Sequence, residues 1–123
     1  MTKFKSQGFG NTFKNARKGF RLVLRSEMNI RIHIVIAFFV LLLAYLLKFS
    51  ALEYCALLFA IAIVIVSEML NTAIEFTLDA VFHNRYSRMV GMAKDISAGA
   101  VMFASFISVL VGLLLFGRHF FVV

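Results

Sequence analysis

Residues 52–82 read LEYCALLFAIAIVIVSEMLNTAIEFTLDAVF. From Leu52 to Val66 the stretch is apolar, with Glu53 as its only charge near the start. From Ser67 polar residues return, yet apolar residues keep a helical spacing to about Phe82. The first half has the hydropathy of a bilayer-crossing segment, and the second reads as the same helix leaving the hydrocarbon with one polar side.

Working outward, two further apolar runs flank this one. The first covers about residues 32–48, with Ile34–Leu47 free of charge, and the third covers about residues 96–116. Lys48–Glu53 reads as a short turn, His83–Gly91 as a polar loop and Gly117–Val123 as a short tail. Residues 9–28 are basic and amphipathic. Phe9, Phe13, Phe20 and Leu24 share one face, while Lys14, Arg17, Lys18, Arg21 and Arg25 fill much of the rest, the pattern of a helix on a membrane surface. Ser6–Asn11, rich in glycine, is expected to be loose. The expected fold is an all-α membrane protein in one domain, 1–123: an amino-terminal amphipathic surface helix plus three transmembrane helices, the second span running 52–82 with its cytoplasmic extension.

Composition agrees. Of 123 residues, 62% are hydrophobic, and the mean hydropathy is +0.92. Three spans of about 20 residues each use about half the chain and leave too little for a separate soluble core. The net charge of +7 comes from 13 basic and 6 acidic residues. Because the excess flanks apolar runs, it points to lipid headgroups and orientation, and nucleic acid is not an expected partner. Cys55 is the single cysteine, so no intrachain disulfide is possible. No cleavable leader is expected, since the first apolar run begins near residue 30 and no small-residue cleavage site follows it.

The loops set an expected orientation. Eight basic residues from Lys3 to Arg31 precede the first span, and Arg85, Arg88 and Lys94 lie between the second and third. The opposite side has Lys48 and Arg118. The positive-inside rule then places the amino terminus and the 83–95 segment in the cytoplasm.

The acidic residues are few and one-sided. Glu53 falls in the outer turn, and Glu27, Glu68, Glu75, Asp79 and Asp95 fall at or near the cytoplasmic face. Glu68, Asn71, Glu75 and Asp79 lie within an arc of roughly 80° on one helix. Carboxylates this close repel unless a cation or proton is shared, and a hard divalent ion such as Mg²⁺ suits oxygen ligands. Mg²⁺ usually takes one or two protein carboxylates and completes its shell with water and phosphate oxygens, which suggests a metal–nucleotide complex. Lys94 can neutralise phosphate and Asp95 can orient it, and Ser97-Ala98-Gly99-Ala100 lets another helix approach closely. The same acidic face would also suit a polar seam in a helix bundle or an ion pathway. Lys94-Asp95 would also suit an interfacial anchor with a helix N-terminal acid. His33 and His119 read as interfacial. No Walker-type loop or soluble-kinase signature is present.

Three segments together resemble a known family: Glu27-Met-Asn29-Ile-Arg31-Ile-His33, Glu68-Met-Leu-Asn71-Thr-Ala-Ile-Glu75-Phe-Thr-Leu-Asp79 and Ala93-Lys94-Asp95-Ile-Ser-Ala-Gly-Ala-Val101. They are similar to the signature of the prokaryotic diacylglycerol kinase and undecaprenol kinase family, over roughly residues 9–117. The resemblance implies a multi-pass lipid kinase of the bacterial inner (cytoplasmic) membrane, assembled as a homotrimer. It implies transfer of the γ-phosphate of ATP, with Mg²⁺, to a membrane lipid alcohol, undecaprenol preferred with diacylglycerol close behind. By the same resemblance Glu68 is the catalytic base, Glu27 and Glu75 are metal ligands, and Asn71, Lys94 and Asp95 hold the nucleotide or order the site; Asp79, on the same acidic face, is also expected to bind the nucleotide. His33 resembles the undecaprenol kinase branch, where some diacylglycerol kinases have glutamate. Ser87 stands where many members have histidine. A small ion-conducting or transport protein and a non-catalytic membrane scaffold are the rival readings.

Overall fold

The computed structural model describes residues 8–121. Lys3, Lys5, the beginning of Ser6–Asn11 and the last two residues of the tail lie outside the described residues. The described chain is four helices: α1 Phe9–Ser26, α2 Met28–Leu46, α3 Ala51–Val81 and α4 Arg88–Phe120. No strand occurs among the described residues. α2, α3 and α4 are each long and apolar enough to cross a membrane.

Several boundaries differ from the hydropathy pattern. Phe9, Gly10 and Asn11 are already helical instead of loose. α2 begins at Met28 and ends at Leu46, and α4 begins at Arg88 and continues to Phe120, well beyond 96–116 on both sides. Lys94 and Asp95 therefore sit within the second turn of α4, not in a loop before it. Hydropathy marks only the part of a helix that meets hydrocarbon. Arg88, Met89 and Lys94 are good helix formers and prolong α4 past that layer.

The two turns have a shared design. At the end of α2, Phe49 N–H donates to Ala44 O (3.1 Å) and Lys48 N–H to Tyr45 O (3.1 Å), while Lys48 adopts φ 60°. This is a Schellman closure with lysine in the left-handed position that glycine usually takes. At the end of α3, His83 (φ 52°) and Asn84 (φ 62°) are left-handed, and Asn84 N–H reaches back to Asp79 O (3.0 Å). Both turns are short, so α2, α3 and α4 run alternately up and down.

α3 and α4 form the structural spine, joined at three levels. Lys94 Nζ donates to Asp79 Oδ1 (2.8 Å) near the 82–87 turn. Midway, Ser108 Oγ donates to Ala60 O (2.9 Å). At the far end His119 Nε2 lies 2.8 Å from Glu53 Oε2. Glu53 also closes a capping box with Ser50: Ser50 N–H donates to Glu53 Oε1 (2.9 Å) and Glu53 N–H to Ser50 Oγ (3.2 Å). The imidazole of His119 stacks on Phe49, centroids 4.7 Å apart, and Phe49 packs with Ala44 and Leu57 in the buried core.

α1 is tied to α2 by the guanidinium of Arg31, which donates to Leu24 O (2.8 Å) and Arg25 O (2.9 Å). Those carbonyls belong to the last turn of α1 and have no partner in the helix ladder. Phe9, Phe13 and Phe20 remain exposed on α1, as a helix lying on a lipid surface requires.

Ser50→Ala removes one half of the capping box and is expected to cost about 1 kcal/mol of unfolding free energy. Glu53→Ala removes both the box and the partner of His119, so it should cost clearly more. Unfolding in mixed detergent micelles measures both. Equal losses would show that the Glu53–His119 contact adds nothing.

Candidate functional site

A 31-residue helix such as α3 is about 46 Å long, against about 30 Å of hydrocarbon. Counted from the 47–50 turn, about 20 residues fill the hydrocarbon, which brings its edge close to Glu68. The remaining turns, with Glu75 and Asp79, project past it. One helix thus carries a row of carboxylates from the apolar edge into the aqueous side.

Glu68 is only 5% exposed. Its Oε1 lies 3.6 Å from His33 Nε2 of α2, too far for a hydrogen bond but close enough for one after a small movement. Thr72, beside it on α3, is also buried, and its hydroxyl is satisfied by Glu68 O (3.0 Å). Ser67 and Thr77 likewise donate to their own helix, at Ile63 O (2.6 Å) and Ala73 O (2.7 Å). These hydroxyls are occupied by backbone, leaving the carboxylates and Asn71 as the groups free for chemistry on this face.

One turn further, Asn71 Nδ2 donates to Glu75 Oε1 (2.7 Å). Asn71 Oδ1 is buried without a hydrogen-bond partner. An unpaired buried amide oxygen is costly, so its environment is complete only when a donor or cation meets it. Beyond, the Asp79–Lys94 ion pair has side-chain exposures of 39% and 37%. That exposure makes it a solvent-screened pair that can reopen toward a phosphate.

The chain brings together Glu68 with His33, Asn71 with Glu75, and Asp79 with Lys94. The other two expected residues stand outside these pairs. Glu27 is half-buried at the α1–α2 junction, and Asp95 is exposed on α4. Among the described residues neither side chain has a recorded ion pair or hydrogen bond. Nor do three or more His, Cys, Asp or Glu side chains gather around one point there. The spacing explains this: Glu68 and Glu75 are about 10 Å apart along the axis, and Glu75 and Asp79 about 6 Å. Mg²⁺ needs only one or two protein oxygens, and Glu75 with the unpaired Asn71 Oδ1 fits that requirement.

Two residues take parts that pattern reasoning did not assign. His33, read as interfacial, is the neighbour of Glu68. It lies 35 residues earlier, in another helix, so no local signal links the two. Ser87 caps α4, its hydroxyl accepting from Val90 N–H (3.2 Å).

Comparison with known proteins places this geometry in context. The family model described as prokaryotic diacylglycerol kinase matches residues 14–116. An undecaprenol kinase of Bacillus subtilis (strain 168) is 34% identical over 108 residues, which is 88% of this chain and 87% of that one. A diacylglycerol kinase of Synechocystis sp. is 33% identical over 101 residues, covering 82% of this chain and 58% of that longer protein. The diacylglycerol kinase of Escherichia coli (strain K12) is 29% identical over 103 residues, 84% of each chain.

A double-mutant cycle of Asp79→Asn and Lys94→Met should give a coupling of about 0.2–1 kcal/mol in unfolding free energy, as for exposed pairs. A coupling of about 3 kcal/mol or more would mean a buried, structural pair.

Proposed function

The chain belongs to the prokaryotic diacylglycerol kinase family, and we propose that it transfers the γ-phosphoryl group of ATP to the hydroxyl of a membrane lipid alcohol. The reaction takes place at the cytoplasmic face of the bacterial inner membrane and depends on Mg²⁺. Undecaprenol is the preferred acceptor, with diacylglycerol second. The observation that carries the reading is the placement of Glu68: a buried carboxylate at the hydrocarbon edge, beside His33, on the same helix face as Asn71, Glu75 and Asp79. Lipid arrives there laterally and nucleotide arrives from water.

Phosphoryl transfer depends mainly on positioning and on neutralising charge. The Glu68 carboxylate accepts the proton of the lipid hydroxyl as its oxygen bonds to the γ-phosphorus, and the bond from that phosphorus to the β,γ-bridging oxygen breaks to release ADP. After a small movement that closes the 3.6 Å gap, the imidazole of His33 donates to the carboxylate and holds it in place. Glu75 and Glu27 would supply carboxylate oxygens to a bound metal–nucleotide complex, with Asn71 Oδ1 as a further oxygen. Mg²⁺ bound with the nucleotide offsets the charge of its phosphates. Lys94 leaves Asp79 to meet a phosphate, and Asp95 borders the same region.

Among the described residues no three His, Cys, Asp or Glu side chains gather at one point, which favours an assembly in which neighbouring subunits complete the site. We take that assembly to be the homotrimer implied by the family. A transport pathway is less well supported. Such a path needs polar groups beyond Glu68, and the hydroxyl of Ser108 is already satisfied by Ala60 O.

Glu68→Gln is expected to lower phosphate transfer roughly 10²–10⁴-fold, the range for loss of a general base, with oligomeric mass in mild detergent unchanged. Near-normal transfer by that variant would remove Glu68 from the role. Glu75→Gln and Glu27→Gln should each raise the Mg²⁺ concentration needed for half-maximal turnover. An unaltered metal requirement would dismiss the residue concerned as a ligand.

A further inference from the structure

Below Glu68, a groove of about 290 Å³ runs between α2, α3 and α4. Its walls extend from His33 to Val40 on α2, from Ile65 to Leu57 on α3 and from Ser108 to Phe116 on α4. The α2 wall begins at the level of Glu68, the α3 wall about one turn below it, and the α4 wall at the level of Ala60, which Ser108 contacts, so the groove runs toward the 47–50 turn over roughly 20 Å. His33 and Ser108 are the polar side chains among the lining residues. The Ser108 hydroxyl is spent on Ala60 O (2.9 Å). That leaves the imidazole of His33 as the groove's polar feature, and it stands 3.6 Å from Glu68 Oε1. Ile36, Val109 and Leu113 on the rim are exposed, so the slot opens sideways, toward the lipid.

We infer that this groove seats the hydrocarbon chain of the acceptor, one chain lying along α2 and α4 with its hydroxyl held at the His33–Glu68 end. The inference rests on the lipid-kinase reading and adds to it the place and number of the chains. An apolar slot with one polar end, open to the bilayer, has the chemistry of a single-chain amphiphile with a small head. Its volume lies at the bottom of the range of about 300–1,000 Å³ for small-molecule sites, a size that suits one chain. The slot therefore favours a lipid alcohol with one chain over one with two.

Gly112 lines the groove, and a Cβ built on it meets nothing within 4 Å. Gly112→Phe therefore fills the outer part of the groove without displacing its neighbours. Leu113→Trp crowds the same outer part from the exposed rim, and serves should the first variant fold poorly. Leu114→Phe, on an exposed position of α4 that does not line the groove, is the control. Phosphate transfer from ATP would be measured in mixed micelles with undecaprenol and with geraniol, whose short chain ends before Gly112.

Either groove variant should lower the undecaprenol-to-geraniol ratio of kcat/KM at least tenfold, mainly by raising KM for undecaprenol, with KM for ATP and oligomeric mass as in the parent. Leu114→Phe should leave the ratio within twofold. Equal effects on both alcohols, or none, would overturn the groove assignment. So would a changed oligomeric mass, which would make the groove an interface between copies. Should the unmodified protein phosphorylate no lipid alcohol, the lipid-kinase reading itself would fall, and the groove assignment with it.

Discussion

A carboxylate in hydrocarbon is tolerated only beside a partner or at the edge of water, and the architecture follows from placing one there. α3 is long enough that its first turns fill the bilayer and its last turns leave it. Glu68 falls at the crossing point. Everything that fixes the height and rotation of α3 consequently fixes the depth and direction of Glu68, Asn71, Glu75 and Asp79.

Both ends of α3 are secured. At one end Glu53 joins the helix cap to His119 of α4, which stacks on Phe49. At the other, Asp79 is held twice: its carbonyl by Asn84 N–H and its carboxylate by Lys94. The far-end contact is sheltered, with side-chain exposures of 23% and 11% for His119 and Glu53. The near-end pair is open to water. The more rigid joint thus lies away from the acidic face, and the weaker one lies where a phosphate would have to displace a carboxylate. The groove between α2 and the α3–α4 pair then leads from the buried carboxylate into the lipid.

The spans and the acidic face were legible because each depends on local periodicity. The apolar run to Val66 and the spacing of Glu68, Glu75 and Asp79 hold on any straight helix. The ends of α4 were not legible, since hydropathy is silent about helical turns beyond the bilayer and Ser87 as a cap depends on the turn before it. Lys48, His83 and Asn84 in left-handed conformations carry no glycine to announce them. The pairing of His33 with Glu68, and the opening beside Gly112, arise from how separate helices pack, which spacing along one chain does not encode. Motif resemblance supplied roles for Glu27 and Asp95 that no hydrogen bond or ion pair among the described residues marks.

The most direct test of the account is transfer of labelled γ-phosphate from ATP, with Mg²⁺, by the purified protein in micelles containing both undecaprenol and diacylglycerol. The account predicts label in the lipid fraction, more of it in undecaprenyl phosphate than in phosphatidic acid. Label in neither lipid, from protein that is folded and assembled, would contradict it.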